Sequence, residues 1–176
     1  AWLMVGQKDA TGLITFNERI TSMLPPKAYR GYLGPIFRVL AELEPKDSTR
    51  LLENLHQIAS TIRKRSLIIL ISDLLDDPER VIEGLKHFRS QHHEVLVFHI
   101  TDLQEDKFSF RQETEFVDSE TGEKIVVNPW QIRSEYLRNY GDHITHLREG
   151  CHQYSIEYNP VSTSTSLDDL LLKYLL

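Results

Sequence analysis

The chain has 176 residues, 20 basic and 26 acidic side chains and a formal net charge of −6. That is enough length for one domain with its own core, without the concentrated basic face that general nucleic-acid binding requires. Its single cysteine, Cys151, excludes an internal disulfide and fits a reducing compartment; with no signal-peptide pattern and no apolar run near the ~20 residues of a bilayer span, a cytoplasmic domain is expected.

Residues 1–7 (AWLMVGQ) read as the tail of a helix, which suits a chain that is a fragment of something longer, and a turn over 9–12 follows. Two short strands, 13–16 (LITF) and 20–24 (ITSML), flank Asn17-Glu18-Arg19 as a hairpin, and Pro25-Pro26 is expected to end the second. A helix is predicted over 29–44 with Leu33, Ile36, Phe37, Leu40 and Leu43 on one face, stopped by Pro45. A second, over about 49–64, repeats Leu51, Leu55, Ile58 and Ile62 at the helical period.

The stretch 67–77, LIILISDLLDD, carries the most information. A short, continuously apolar, β-branched run bounded by polar residues predicts a strand buried on both faces of a parallel sheet. Open α/β sheets bind ligands beyond the carboxyl ends of their strands, and Asp73 stands at that end. A carboxylate there can hold a hard cation, orient a water or cap the next helix. Asp76 and Asp77 precede Pro78, a good first-turn residue, and read as charges facing a helix dipole. That helix is predicted to about residue 90, burying Val81, Ile82, Leu85 and Phe88, with 94–100 (EVLVFHI) the next buried strand.

Residues 101–128 read as an inserted loop and small exposed hairpin, strands 114–117 and 124–127, with Gly122 in its turn. A long helix from 129 or 130 to about 152 carries a core stripe of Trp130, Leu137, Tyr140, Ile144, Leu147 and Cys151. A strand over 154–158 (YSIEY) is expected next. A last helix starts at Ser166, whose spacing to Asp169 resembles a capping box.

Taken in order, DATGLITFNERITSMLPP, ELEPKDSTRLLENL, ILISDLLDDPERVIEGLKHFRSQHHEVLVFHITD and TSTSLDDLLLKYL resemble the domain of unknown function 58 family. The resemblance implies a von Willebrand factor A-like α/β domain, a doubly wound and mostly parallel sheet flanked by helices, over residues 1–176. It also implies a non-enzymatic role beside MoxR-type AAA+ ATPases, in a chaperone-like or complex-assembly function.

Von Willebrand A domains carry a metal-ion-dependent adhesion site on three loops. By position, Thr49 matches its second-loop threonine and Asp73 its third-loop aspartate, where a glycine commonly follows and here Leu74 does. The first loop, Asp-x-Ser-x-Ser, has no counterpart and would precede Ala1; the hydroxyl run 163–166 is expected at the wrong end of the fold to replace it. Magnesium wants near-octahedral oxygen coordination, so Thr49 and Asp73 alone make a weak site. Mg²⁺ is expected in the intact protein, not tightly bound in this chain. The strand before that first loop would be central in such a sheet. Without it two apolar strand edges lie open to self-association; the expectation is that a segment upstream of Ala1 supplies the strand, the alternatives being that the two strands close up or that another chain fills the gap.

Thr49, Ser72, Asp73 and Asp76 are therefore the candidate partner-binding rim, and the acidic segment 118–123 is a second candidate surface. Against this, Thr49 can serve only as a helix N-cap, with Asp47 and Ser48 as rivals, and Asp73 can be a plain solvated or capping carboxylate. The enzymatic alternative is a magnesium-dependent phosphoryl-transfer or hydrolase enzyme using Asp73 as nucleophile or metal ligand. It needs a second acidic loop and a cation facing the phosphate, for which only Lys46 or Arg50 offers itself. The apolar strand ending in Asp resembles a Walker B element, but the glycine-rich phosphate loop that must accompany it is missing. His143 and His146, or His92-His93-Glu94, fit no zinc spacing, and Cys151 reads as a buried structural thiol.

Overall fold

The apolar residues on either side of Asn17-Glu18-Arg19 form the expected antiparallel hairpin, strands β1 (Thr11–Phe16) and β2 (Ile20–Lys27). The structure, a computed structural model, describes residues 1–43, 50–118, 122–166, 168 and 170. Pro45, Asp47, Ser48, Thr49 and Asp169 therefore lie outside the described residues, as does part of the turn around Gly122. Two units divide the chain, Ala1–Asn54 and Leu55–Leu176.

In the first unit, helix α1 (Trp2–Gly6) leads into the hairpin. β2 does not end at Pro25-Pro26 but runs through both prolines to Lys27, which pairs with Thr11 across a bulge. Proline cannot donate to a ladder, so it is tolerated where a strand edge is open, and β2 pairs only with β1 among the described residues. A Cβ on Gly12 would stand 2.6 Å from the Leu24 carbonyl oxygen, so the bulge needs glycine there. The helix expected over 29–44 is shorter: a 3₁₀ turn (Arg30–Tyr32) precedes helix α2 (Leu33–Ala41). Pro35 sets this limit, because its ring would clash with the carbonyl four residues earlier in a longer α-helix. Of the expected apolar face only Ile36 is buried, and Phe37, Leu40 and Leu43 are exposed.

Helix α3 (Leu51–Thr61) keeps Leu51, Leu55 and Ile58 buried at the expected period. Then follow β3 (Leu67–Ser72), α4 (Pro78–Ser90), β4 (Glu94–Thr101), α5 (Leu103–Lys107), β5 (Thr114–Val117), β6 (Lys124–Val127), α6 (Pro129–Gln153) and β7 (Glu157–Ser162). The second unit is thus a mixed α/β structure: a parallel sheet in the order β3-β4-β7, flanked by helices. β4 is central, with Val95, Val97, His99 and Thr101 all buried on one face. α4 buries the four apolar residues expected of it.

β3 departs from expectation. Its even-numbered positions face inward, but Leu67, Ile69 and Ile71 are exposed, Ile71 by 66 %. An unbroken apolar run indicates two-sided burial only when both faces are covered, and β3 is an edge strand paired with β4 alone among the described residues. β1 and β2 form a two-stranded sheet of their own among the described residues. The last strand begins later than expected. α6 continues to Gln153, and a turn with Ser155 at φ 54 and Ile156 N–H bonded to Cys151 C=O at 2.9 Å takes the next residues.

The β5–β6 hairpin forms as expected, with Val117 opposite Lys124 and Gly122 at φ 73. Beneath it Phe108, Phe110, Phe116 and Tyr136 pack together, Phe108 and Tyr136 with ring centroids 4.4 Å apart. The α6 stripe is core at one end only: Leu147 and Cys151 are fully buried, whereas Trp130 is 72 % exposed. Trp130 sits in the first turn, where its ring nitrogen donates to the Arg111 carbonyl at 3.4 Å. Burial pushes the Cys151 thiol up to about 12, leaving it protonated. No helix among the described residues is long and apolar enough to cross a membrane.

α4 lies close to its neighbours because glycine allows it. A Cβ on Gly84 would stand 2.7 and 3.0 Å from Cδ1 and Cβ of Leu55, and one on Gly150 would stand 2.6 Å from Cγ1 of Ile82. The Leu55 Cβ cannot rotate away. Gly84→Ala is therefore expected to destabilise by about 1–2 kcal/mol, overpacking outweighing the roughly 1 kcal/mol gain in helix propensity. Urea denaturation checks this, and a stabilised variant would contradict it.

Candidate functional site at the carboxyl edge of the sheet

β3, β4 and β7 run parallel, so their carboxyl ends open onto one edge. Ser72 ends β3, and its hydroxyl accepts the Leu74 N–H at 3.1 Å and donates to an Asp73 carboxylate oxygen at 3.4 Å. Asp73 itself is exposed. Leu74 then turns the chain with φ 52, the left-handed region that favours glycine, while its side chain is 0 % exposed. The backbone thus adopts, with leucine, the conformation that a glycine after the aspartate would take freely. The apolar anchor holds that turn in place.

Two histidines fix the loop from behind. His99 of β4, 2 % exposed, uses Nε2 to donate to the Asp73 carbonyl at 2.8 Å. A carbonyl only accepts, so neutral His99 carries its proton on Nε2, and Nδ1 accepts from the Tyr158 hydroxyl at 2.5 Å. His143 of α6 donates from Nε2 to the Leu74 carbonyl at 3.2 Å, which also takes the Asp76 N–H at 2.8 Å. Burial holds His99 below the ordinary imidazole value, and the His143 charge adds to this. The hydrogen bond to Asp73 and the charges of Asp73 and Asp106 oppose it. Burial pushes Tyr158 up to about 12, so its hydroxyl remains a donor to His99.

The neighbouring carboxylates are engaged. Asp77 caps α4, accepting from Glu79 N–H at 2.8 Å and Arg80 N–H at 3.3 Å, and Asp76 accepts from Asp77 N–H at 2.7 Å with Arg80 Nε at 3.5 Å. Both serve the helix terminus, as the sequence reading has it. At the end of β4, Asp102 accepts from Gln104 N–H and the Thr163 hydroxyl, both at 2.8 Å. These two bonds, the backbone one first, hold its carboxyl below the usual range. Asp106 accepts from the Tyr140 hydroxyl at 3.0 Å and Thr101 at 3.5 Å.

The structure therefore brings Ser72, Asp73 and Asp76 together, while Thr49 lies outside the described residues. One expectation is corrected. The hydroxyl run that begins at Thr163 is at the same edge as Asp73, because β7 is parallel to β4 and Thr163 N–H bonds to the Thr101 carbonyl at 2.9 Å. It does not complete a cation site, since the Thr163 hydroxyl is spent on Asp102. Tested as magnesium ligands, the described residues supply one available carboxylate, Asp73, and one hydroxyl, Ser72, already bonded to Leu74. That set does not fit an ion demanding six oxygens in rigid geometry, and no cluster of three or more His, Cys, Asp or Glu suited to a metal occurs among the described residues.

His99 and Tyr158 escaped the sequence reading. The signal available was a lone polar residue in EVLVFHIT on the same alternation as Val95, Val97 and Thr101, hence facing inward beside the end of β3.

The family described as "Protein of unknown function DUF58" matches residues 1–146. No curated protein matches the chain. Among solved structures, the conserved hypothetical protein BatB from Bacteroides thetaiotaomicron is similar at 15 % identity and a TM-score of 0.52, over 97 % of this chain and 80 % of that one. At that identity the likeness concerns the fold alone.

Proposed function

The chain belongs to the family of proteins of unknown function DUF58, and on that premise we propose that it is a non-enzymatic protein-interaction domain whose contact face is the rim of Ser72, Asp73 and Asp76. The observation that carries this reading is the division of roles in the Asp73 loop. Its backbone carbonyls are held by His99 and His143, while the Asp73 carboxylate is exposed. A fixed backbone presenting a solvated carboxylate lowers the ordering cost of binding and leaves an acceptor for a partner's Arg or Lys. Catalysis asks for more: a second carboxylate or a base within reach of a reacting atom, and Asp76, Asp77, Asp102 and Asp106 are committed to caps and hydroxyls.

The von Willebrand A-like resemblance supplies the finer terms of the reading. The fold would be the doubly wound form, Thr49 would join the rim, and the partner would be a MoxR-type AAA+ ATPase, met in the cytoplasm. A cation, where present, would be held by Asp73 with oxygens from outside the described set.

Calorimetric titration of a purified MoxR-type ATPase into the chain tests this. Saturable binding is expected, weakened about tenfold or more by Asp73→Ala. Equal affinity of the variant would contradict the reading. So would Mg²⁺-dependent hydrolysis of a phosphate ester that disappears with Asp73→Ala, which is the result expected of the enzymatic alternative.

A further inference from the structure

Away from the rim, the fold joins two histidines that lie 31 residues apart in the chain, His56 of α3 and His87 of α4. The two helices approach closely where Gly84 faces Leu55. Beside that contact the imidazoles meet, Nδ1 to Nδ1 at 2.9 Å with ring centroids 5.0 Å apart. The outer nitrogens face partners too. His87 Nε2 is 3.2 Å from the Gln91 side-chain nitrogen, and His56 Nε2 is 4.0 Å from a Glu83 carboxylate oxygen. An amide nitrogen only donates, so His87 accepts at Nε2 and holds its proton on Nδ1. It donates that proton to His56 Nδ1, and His56 keeps its own on Nε2, toward Glu83. Two ring nitrogens therefore converge on one point and share a single proton there. The place is open to water, because the His56 side chain is 39 % exposed.

We propose that this point binds a divalent transition-metal ion of the imidazole-preferring class, Cu²⁺, Ni²⁺ or Zn²⁺, through both Nδ1 atoms. The spacing suits such an ion. Imidazole nitrogens sit about 2.0–2.1 Å from the metal. Two on one ion therefore lie about 2.9 Å apart at a right angle and about 3.3 Å apart at the tetrahedral angle. The present separation equals the first and needs about 0.4 Å of opening for the second. The ion takes the place of the shared proton, which moves from Nδ1 of His87 to its Nε2. Gln91, its amide turned over, accepts that proton through Oε1, so the neutral pair loses none. Glu83 stands behind His56 and Gln91 behind His87, the arrangement that orients metal-bound imidazoles through their outer nitrogens. Two protein ligands leave the other positions to water, so the ion is exchangeable, and it clips α3 to α4. Asp73 takes no part, and Mg²⁺, a hard ion that favours oxygen, is not the occupant.

Calorimetric titration of the chain with Cu²⁺, Ni²⁺ and Zn²⁺ gives the test, with circular dichroism confirming the fold of each variant. Saturable binding is expected, tightest for Cu²⁺. His56→Gln and His87→Gln should each weaken it by more than the roughly tenfold that loss of an outer partner costs. His146→Gln, exposed on α6, and Asp73→Ala should leave it unchanged. Ni²⁺ should also raise the midpoint of thermal unfolding, since the unfolded chain does not hold the two nitrogens together. Electron paramagnetic resonance of the Cu²⁺-loaded chain should show coupling to two ring nitrogens, and to one in either single variant. Absence of binding would overturn the proposal. So would binding that survives both histidine substitutions, or coupling to a single nitrogen in the unaltered chain.

Discussion

Leu74→Ala is expected to cost about 3 kcal/mol of stability, and Leu74→Gly is expected to cost less. Leu74 is 0 % exposed, so truncation removes a wholly buried side chain and leaves a cavity. Its φ of 52 lies in the left-handed region, which disfavours any residue with a Cβ by roughly 1–2 kcal/mol and glycine hardly at all. In an ordinary element glycine is worse than alanine; here the order should reverse. The variants share the cavity and differ in the backbone, so the gap between them in guanidinium denaturation measures the strain at the turn. Alanine at least as stable as glycine would show that the turn is unstrained or has rearranged.

The second large effect belongs to His99. His99→Ala leaves the Asp73 carbonyl and the Tyr158 hydroxyl without their shared partner, a loss of about 2–4 kcal/mol for two part-buried groups and the packing around them. The pH dependence follows from the direction of the shift. Folded His99 titrates below its ordinary value of 6.5, principally through burial. Between its folded pKa and 6.5 the unfolded chain binds more protons, so stability rises with pH across that window. The contribution is complete above 6.5 and is lost as pH falls through the folded pKa. In His99→Gln, which keeps hydrogen-bonding capacity, that acid-side decline should be smaller. An identical decline in both proteins, followed by urea denaturation at a series of pH values, would mean that His99 titrates alike in the folded and unfolded chain.

Much of this architecture is legible in the chain because local chemistry and tertiary environment agree. Pro78 after two aspartates starts α4, and its four apolar residues at helical spacing are the four that are buried. EVLVFHI reads as a buried strand and is one, covered on the face of Val95 and Val97. Where the reading failed, an environment overrode a pattern. LIILIS has the composition of a two-sided strand, but the face of Leu67, Ile69 and Ile71 is exposed, and composition does not say whether both faces of a strand are covered. Trp130 fits the α6 stripe by spacing, yet the stripe is covered only toward Leu147 and Cys151. The apolar spacing over 29–44 suits one long helix, but Pro35 cannot follow an α-helical carbonyl four residues before it, and α2 starts at Leu33. Of the candidate site, Ser72 and Asp73 were visible as the end of an apolar strand. The histidines that hold the loop come from β4 and α6, distant in sequence, and only the parallel register brings His99 beside Ser72.

That support from behind is what distinguishes a presented carboxylate from one that merely ends a strand. Hydrogen exchange measured with and without a MoxR-type ATPase tests it most directly, because it reports where the partner sits. Protection concentrated in residues 72–77, reduced by Asp73→Ala, is the expected result. A footprint on the β5–β6 hairpin with the 72–77 loop unchanged would contradict the assignment of the rim as the docking face.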